Sequence, residues 1–180
     1  MIARKIARRY AKALMSIGRE DGKYEQYGEE LAAFTSLVQG EKRLRSVLTN
    51  PTITIPQRQA IIKEITQRLR LSPLLGNLLH LLVEKNRMQY LSDIEFLYRE
   101  LADATAGRAR VKLETSHDLS PQALEKLARS LEGVAGKTVI MEVQTDPSLI
   151  GGIVARMEGM VFDGCIRTQL ERLREALAKG

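Results

Sequence analysis

The side chains that most often carry out chemistry are few in this sequence and lie far apart. There are two histidines, His80 in a leucine-rich segment and His117 in a loop, and one cysteine, Cys165. Zinc sites need closely spaced cysteine, histidine or carboxylate ligands, and a catalytic imidazole needs an orienting partner. No such spacing is found, so His80 is interpreted as a polar-face helix residue and Cys165 as a structural thiol. A single cysteine also excludes an intrachain disulfide.

Phosphate-binding motifs are missing as well. A P-loop requires the run GxxxxGK[ST], whose backbone amides and lysine surround the phosphates, and the sequence contains none. Gly151-Gly152 lies inside a strand pattern instead of between a strand and a helix, so it is not a dinucleotide-binding fingerprint. Asp163-Gly164 is interpreted as a turn into the last helix. The sequence therefore predicts a protein that is not an enzyme and has no cofactor and no metal site.

What the sequence does offer is apolar surface for binding, beginning with its first helix. At 100° per residue the apolar residues form two adjoining sectors, with arginine and lysine opposite them. One sector consists of Ile2, Ile6, Tyr10, Ala13 and Ile17, and the other of Ala3, Ala7, Ala11, Leu14 and Gly18. Together they cover roughly half of the cylinder, which exceeds the ~100° stripe that one packed face needs. We predict that the alanine-rich sector packs in the core and that the Tyr10 sector forms an interface.

A second segment has surplus apolar surface. Between Leu74 and Val83 every residue except Gly76, Asn77 and His80 is apolar. Two such helices can line one groove, and we predict that Leu74, Leu78 and Leu81 face Ile6, Tyr10, Ala13 and Ile17 across a groove that accepts an amphipathic helix of another chain. The alternative is a central bundle helix that is buried all round.

Apolar spacing predicts which elements position these residues. Up to about residue 106, apolar residues recur every three or four positions, as along Tyr24, Tyr27, Leu31, Phe34 and Val38. Pro56 and the pair Ser72-Pro73 are typical of helix starts. About six helices joined by short loops result, which is the pattern of an antiparallel bundle.

After Gly107 the period of the apolar pattern falls to two. Charged residues alternate with apolar ones from Arg108 to Thr115, which predicts a half-buried strand. Ser120-Pro121 then begins a helix, and strands follow around Val139–Val143 and Ile150–Met157. A turn at Glu158-Gly159 leads to a short strand over Met160–Phe162, and a helix with the seam Ile166, Leu170, Leu173 and Leu177 closes the chain. We predict an α+β protein with an N-terminal six-helix bundle, residues 1–106, and a small β-α-β-β-α domain, residues 107–180.

Composition and charge limit the class of protein. The chain has 180 residues, 44% of them hydrophobic and 28% charged, which is typical of a folded globular protein. No apolar run reaches the roughly 18 residues of a membrane span. The net charge is +6, and residues 1–23 hold seven basic residues against two acidic ones. This basic helix leaves a small RNA-binding regulator as the alternative function, although there is no tryptophan and only eight tyrosines and phenylalanines for base stacking.

Three segments resemble one protein family. They are the opening run Arg9-Tyr10-Ala11-Lys12-Ala13-Leu14, the central run from Asn77 to Met88, and the C-terminal signature from Asp146 to Arg156 with Asp163-Gly164 and the run from Arg167 to Leu173. The sequence is similar, over its whole length, to the delta subunits of bacterial F-type ATP synthases and to the homologous oligomycin-sensitivity-conferring protein. It departs from them at Cys165, where a serine is expected and where a cysteine is a poorer helix cap.

This resemblance implies a function. It implies a non-catalytic stator subunit of the peripheral stalk, whose N-terminal six-helix domain binds the helical N-terminal segment of an alpha subunit on the catalytic head. It also implies that the C-terminal domain meets the b-type stalk, so that proton flow is coupled to ATP synthesis. The expected location is peripheral, at the cytoplasmic face of the bacterial inner membrane, without a transmembrane segment and without a nucleic-acid partner.

Overall fold

The chain divides into two compact units, Met1–Ala102 and Asp103–Gly180. The computed structural model describes residues 2–147, 149, 151–157, 160–166, 168 and 174. No helix in this described part combines the length and the hydropathy that crossing a bilayer requires. The α+β class that the two apolar periods predict is confirmed.

Six α-helices precede the first strand. They are α1 (Ile2–Glu20), α2 (Tyr24–Gly40), α3 (Lys42–Thr49), α4 (Ile55–Arg68), α5 (Pro73–Glu84) and α6 (Leu91–Thr105), with a single 3-10 turn at Met88–Tyr90 before α6. The helix-start signals act as predicted. Pro56 lies in the first turn of α4, and the Ser72 hydroxyl accepts a 3.4 Å hydrogen bond from the backbone N–H of Leu75 at the start of α5. The first backbone N–H groups of a helix have no intrahelical acceptor. The Ser72 hydroxyl accepts a hydrogen bond from one of them, and proline at position 56 has no N–H group to satisfy.

Close helix packing in the first unit depends on its small residues. Ala7 and Ala11 are fully buried on α1, and a Cβ placed at Gly18 would lie 2.9 Å from the Cα of Tyr24. Tyr98 of α6 is 1% exposed and donates a 2.7 Å hydrogen bond to the backbone carbonyl of Tyr24. The alanine-rich sector of α1 is therefore the face that the first unit buries, as the sequence predicts.

A four-stranded sheet with the order β2-β1-β3-β4 forms the second unit. Its strands are β1 (Arg108–Thr115), β2 (Thr138–Thr145), β3 (Ile153–Met157) and β4 (Met160–Asp163), and helix α7 (Pro121–Ala135) connects β1 to β2. The β1–β2 pair is parallel, as the helical crossover requires, and the other two pairs are antiparallel. The predicted alternation holds on β1, where Ala109, Val111, Leu113 and Thr115 are the buried residues.

The predicted β-α-β-β-α order needs one change. The short strand β4 is a regular member of the sheet, so the described part of this unit has the order β-α-β-β-β. The Glu158-Gly159 turn lies outside the described residues. So do Leu170, Leu173 and Leu177, and with them most of the predicted closing helix.

Candidate partner-binding groove

Helix α1 buries one apolar sector and leaves the other partly open. Leu14, in the buried sector, is 3% exposed, whereas Ile17 in the Tyr10 sector is 42% exposed. Ala13 is exposed and Tyr10 is half-buried against the core. Because burying apolar area is the main source of binding free energy, this second sector is suited to an interface.

Helix α5 is not buried all round, so the bundle-centre alternative for it is wrong. Its core side is formed by Leu75, Leu79, Leu82 and Val83, each fully buried. Leu74 and Leu78 are only half-buried, and Leu81 is 40% exposed. The surplus apolar surface that its composition predicts is therefore present on the outside of the helix.

The open sectors of the two helices meet in one apolar groove of about 630 Å³. We call it the α1–α5 groove, and its lining consists of Arg9, Tyr10, Ala13, Leu14, Ile17, Leu74, Asn77, Leu78, Leu81, Lys85 and Arg87. Six of the seven predicted residues are in this lining. Ile6 is not. It lies one turn before Tyr10 on α1.

Sequence reasoning missed the charged members of the lining. Arg9, Lys85 and Arg87 belong to the quoted motifs, but apolar periodicity does not select them. Lys85 forms a 2.8 Å ion pair with Glu84. The pKa of Lys85 is raised, chiefly by this hydrogen bond and to a smaller extent by the nearby Tyr10. Lys85 and Tyr10 both belong to the groove lining. Both walls contribute charged residues to the lining: Arg9 comes from α1, and Lys85 and Arg87 come from the residues that follow α5.

The potential chemical groups lie apart from one another. His80 is half-buried on α5, and the His117 ring nitrogen Nδ1 lies 2.9 Å from the hydroxyl of its neighbour Ser116. Cys165 is 3% exposed, and its backbone N–H donates a 2.9 Å hydrogen bond to Asp163 Oδ1. Among the described residues, no three histidine, cysteine or acidic side chains are placed to hold a metal ion. Among the described surfaces, the α1–α5 groove is the one that the sequence predicts to bind a partner helix, and its shape and largely apolar lining suit that role.

Comparison with known proteins decides the family. The sequence model of the ATP synthase delta (OSCP) subunit family matches residues 6–177. The chain belongs to this family. It is 41% identical over 175 residues to the ATP synthase subunit delta of Desulfosudis oleivorans, which covers 97% of this chain and 96% of the relative. To the subunit delta of an Anaeromyxobacter species it is 42% identical over 177 residues, or 98% and 99% of the two chains.

A solved structure agrees with the fold. A chain in the cryo-EM structure of the Toxoplasma gondii mitochondrial ATP synthase hexamer matches with a TM-score of 0.68 and 24% identity, over 96% of this chain and 97% of that one. Membership of the delta (OSCP) family makes this protein a structural stator subunit of ATP synthase and not a catalytic one. The matches give no support to the RNA-binding alternative.

Proposed function

We propose that the α1–α5 groove binds the N-terminal helix of an alpha subunit and thereby holds the catalytic head to the stator. The observation that carries the proposal is the largely apolar lining contributed by two helices that each bury a different apolar face in the core. An amphipathic helix laid in such a groove buries its own apolar face as well as the exposed parts of Ile17 and Leu81. The sites named by the sequence, Ile6 excepted, are the residues that this helix would contact.

The mechanical task favours an apolar groove over surface charges. With an association rate constant near ~10⁶ M⁻¹s⁻¹, a micromolar contact lasts about one second. An enzyme making ~10² turnovers per second would lose such a contact often. A nanomolar contact lasts about a thousand times longer and needs about −12 kcal/mol, whereas an exposed ion pair contributes at most ~1 kcal/mol. Slow release therefore has to come from buried apolar area.

Calorimetry of the full chain with a peptide of the alpha N-terminus tests the groove. Leu81→Gln should weaken binding about tenfold, because it removes apolar contact and places an amide in the interface. Leu37→Gln on α2 is the matched control, since Leu37 is 36% exposed and lies outside the groove lining. Equal affinities of the two folded variants would remove α5 from the site.

The second unit has a surface of its own that supports the stalk contact. We propose that it meets the membrane-anchored b-type stalk at β4, the edge strand of the sheet. Met160, Val161 and Phe162 are 46%, 56% and 39% exposed along this strand. A free apolar sheet edge is an aggregation hazard that native proteins keep covered, and a stalk subunit would cover it. The two contacts together would place the protein peripherally at the cytoplasmic face of the bacterial inner membrane, where it would help to couple proton flow to ATP synthesis.

Cosedimentation with the soluble part of a b-type subunit tests the edge. Val161→Lys should lower the bound fraction, since it puts a charge into the apolar contact. Val134→Lys on α7 is the matched control, because Val134 is 61% exposed but lies on a helix away from the sheet edge. If Val161→Lys binds as well as Val134→Lys, β4 is not the contact.

A further inference from the structure

Helix α1 carries a row of cationic side chains that the groove does not use. We call it the basic stripe, and it consists of Lys5, Arg8, Lys12 and Arg19, at spacings of three, four and seven positions. All four residues are exposed, and none of them forms an ion pair within the described part of the chain. At 1.5 Å per residue the basic stripe is about 21 Å long.

The basic stripe lies on the opposite side of α1 from the α1–α5 groove. Each residue of an α-helix is rotated by about 100° from the one before it. Lys12 follows Tyr10 by two positions and Arg19 follows Ile17 by two, so each cation is rotated by about 200° from a residue of the groove lining. A helix bound in the groove therefore does not reach the basic stripe, which is a separate surface of α1.

Electrostatics within α1 disfavour this row of cations. Like charges three or four positions apart repel one another on a helix, and both Lys5 with Arg8 and Arg8 with Lys12 have this spacing. The positive end of the helix dipole opposes cations near the start of a helix, and the first turn of α1 has no acidic residue to offset this effect. A cationic surface without a counter-charge in its own unit is complementary to an acidic surface of another protein.

We propose that the basic stripe attracts an acidic protein surface of the catalytic head and thereby speeds the association of the two. The inference rests on the proposed contact with the head and adds to it a second surface with a different task. The partner is a cluster of aspartate and glutamate side chains near the segment that enters the groove. A nucleic acid is disfavoured, because the one aromatic side chain of α1, Tyr10, lies in the groove lining and not beside the stripe.

The basic stripe and the groove act on different steps of binding. Opposite charges attract over the Debye length, which at ~0.01 M salt is about 30 Å and exceeds the length of the stripe. Such steering raises association rate constants by roughly ten- to a thousandfold. Exposed ion pairs contribute little once they have formed, so the stripe should hardly slow dissociation. Slow dissociation comes from the apolar groove.

Association kinetics with the isolated catalytic head test the stripe. The full chain is immobilised through a C-terminal biotin tag, and biolayer interferometry follows the binding of a head purified without its own delta subunit. A Lys5→Gln, Arg8→Gln, Lys12→Gln variant should associate about five- to tenfold more slowly at ~0.01 M salt. At ~1 M salt, where the Debye length is about 3 Å, the difference should fall below about twofold. Its dissociation rate constant should stay within about twofold of the unmodified value.

A second triple variant on α3 is the matched control. Lys42→Gln, Arg43→Gln, Arg45→Gln makes the same change of net charge on exposed residues that lie outside the groove lining and form no ion pair within the described part of the chain. It should associate within about twofold of the unmodified rate, because the steering field is local to α1. Glutamine is a good helix former, so both variants should keep the melting temperature of the unmodified protein.

The outcomes separate this proposal from the groove function. Equal association rates of the two triple variants at low salt would overturn steering by the stripe, and so would faster dissociation of the α1 variant at an unchanged association rate. Binding of single-stranded RNA that the α1 variant loses, with unaltered association to the head, would also overturn it. Leu81→Gln tests the groove in the same assay. It should dissociate faster at an unchanged association rate, and an unchanged dissociation rate would overturn the groove function whatever the stripe does.

Discussion

Arg58 donates a 2.8 Å hydrogen bond from Nη2 to Asn86 Oδ1 while its side chain is almost completely buried, at 2% exposure. Its Nη1 also lies 3.5 Å from the carbonyl oxygen of Leu48 near the end of α3. Asn86 follows α5 and has a φ of +52°, a left-handed conformation that asparagine tolerates better than most residues. The guanidinium therefore joins the C-terminal ends of α3 and α5, where two helix dipoles favour a positive charge. This contact holds the segment that directly follows α5.

Removal of this guanidinium should destabilise the first unit. Arg58→Met leaves the acceptors at Asn86 and Leu48 without their donor, which should cost about 1–3 kcal/mol of unfolding free energy. Arg58→Lys should not restore the lost stability, because a single ammonium group does not reproduce the planar arrangement of N–H donors in the guanidinium. All five tyrosines lie in the first unit, so tyrosine fluorescence during urea unfolding measures this unit alone.

Arg45→Met is the control for that series. Arg45 is exposed on α3, and its substitution should change stability by no more than about 0.5 kcal/mol. An Arg58→Met protein as stable as this control would show that the buried guanidinium does not hold the two helix ends.

Filling the groove should block the partner without harming the fold. Ala13 is exposed in the groove lining, so Ala13→Leu places three additional carbon atoms where the bound helix has to lie. Leucine is a good helix former, and the melting temperature should stay close to that of the unmodified protein. Calorimetry should then give at least tenfold weaker binding of the alpha N-terminal peptide, whereas Ala33→Leu on the exposed side of α2 should bind normally. Unaltered affinity of Ala13→Leu would place the partner elsewhere.

The pair Tyr27 and Asp21 should make the stability of the first unit depend on pH. The Tyr27 hydroxyl donates a hydrogen bond to Asp21 Oδ2, and this bond is the main reason that the pKa of Asp21 is lowered from 3.8. A lowered folded-state pKa stabilises the protein above the unfolded value, and the contribution is lost as the pH falls through the folded value. The same bond raises the pKa of Tyr27 from 10.0 to about 12. That contribution is complete below pH 10 and is lost as the pH rises through about 12.

Urea midpoints measured against pH test this pair. Tyr27→Phe should be less stable than the unmodified protein near neutral pH, and the difference should shrink in acid and in strong alkali. Tyr90→Phe is the control, since no hydrogen bond to the Tyr90 hydroxyl exists among the described residues. If the stability difference between Tyr27→Phe and the unmodified protein stays the same at acidic pH, Asp21 does not stabilise the fold through this hydrogen bond.

Gly152, directly before β3, should tolerate substitution poorly. Gly152 has a φ of +92°, and a Cβ there would lie 2.1 Å from the carbonyl oxygen of Gly164. Gly152→Ala should therefore destabilise the second unit by at least about 2 kcal/mol, measured by hydrogen exchange of the β3 amides. Gly133→Ala in α7 should instead stabilise it by about 0.5–1 kcal/mol, because a Cβ there meets no atom within 4 Å. A harmless Gly152→Ala change would contradict the close approach of the two backbone segments.

Local sequence patterns are enough to predict the class of fold, the helix starts and the buried faces. The Ser72 cap, the Pro56 helix start and the alternation along β1 follow from hydrogen bonds and side-chain periods within a few residues. For the same reason, the two apolar sectors of α1 and the surplus apolar surface of α5 can be predicted from residue spacing and composition. Family motifs supplied the function, because no local pattern encodes a partner.

Which parts of these faces meet depends on how the helices and strands pack against one another. Ile6 is not part of the groove lining, whereas Arg9, Lys85 and Arg87 belong to it although more than seventy positions separate Arg9 from the other two in the sequence. The tertiary structure also sets β1 between β2 and β3 in the sheet. These results depend on how far each helix extends and in which direction its neighbour runs. The spacing of apolar residues indicates which face of a helix or strand is buried. It does not indicate which other element packs against that face or how deeply the face is buried.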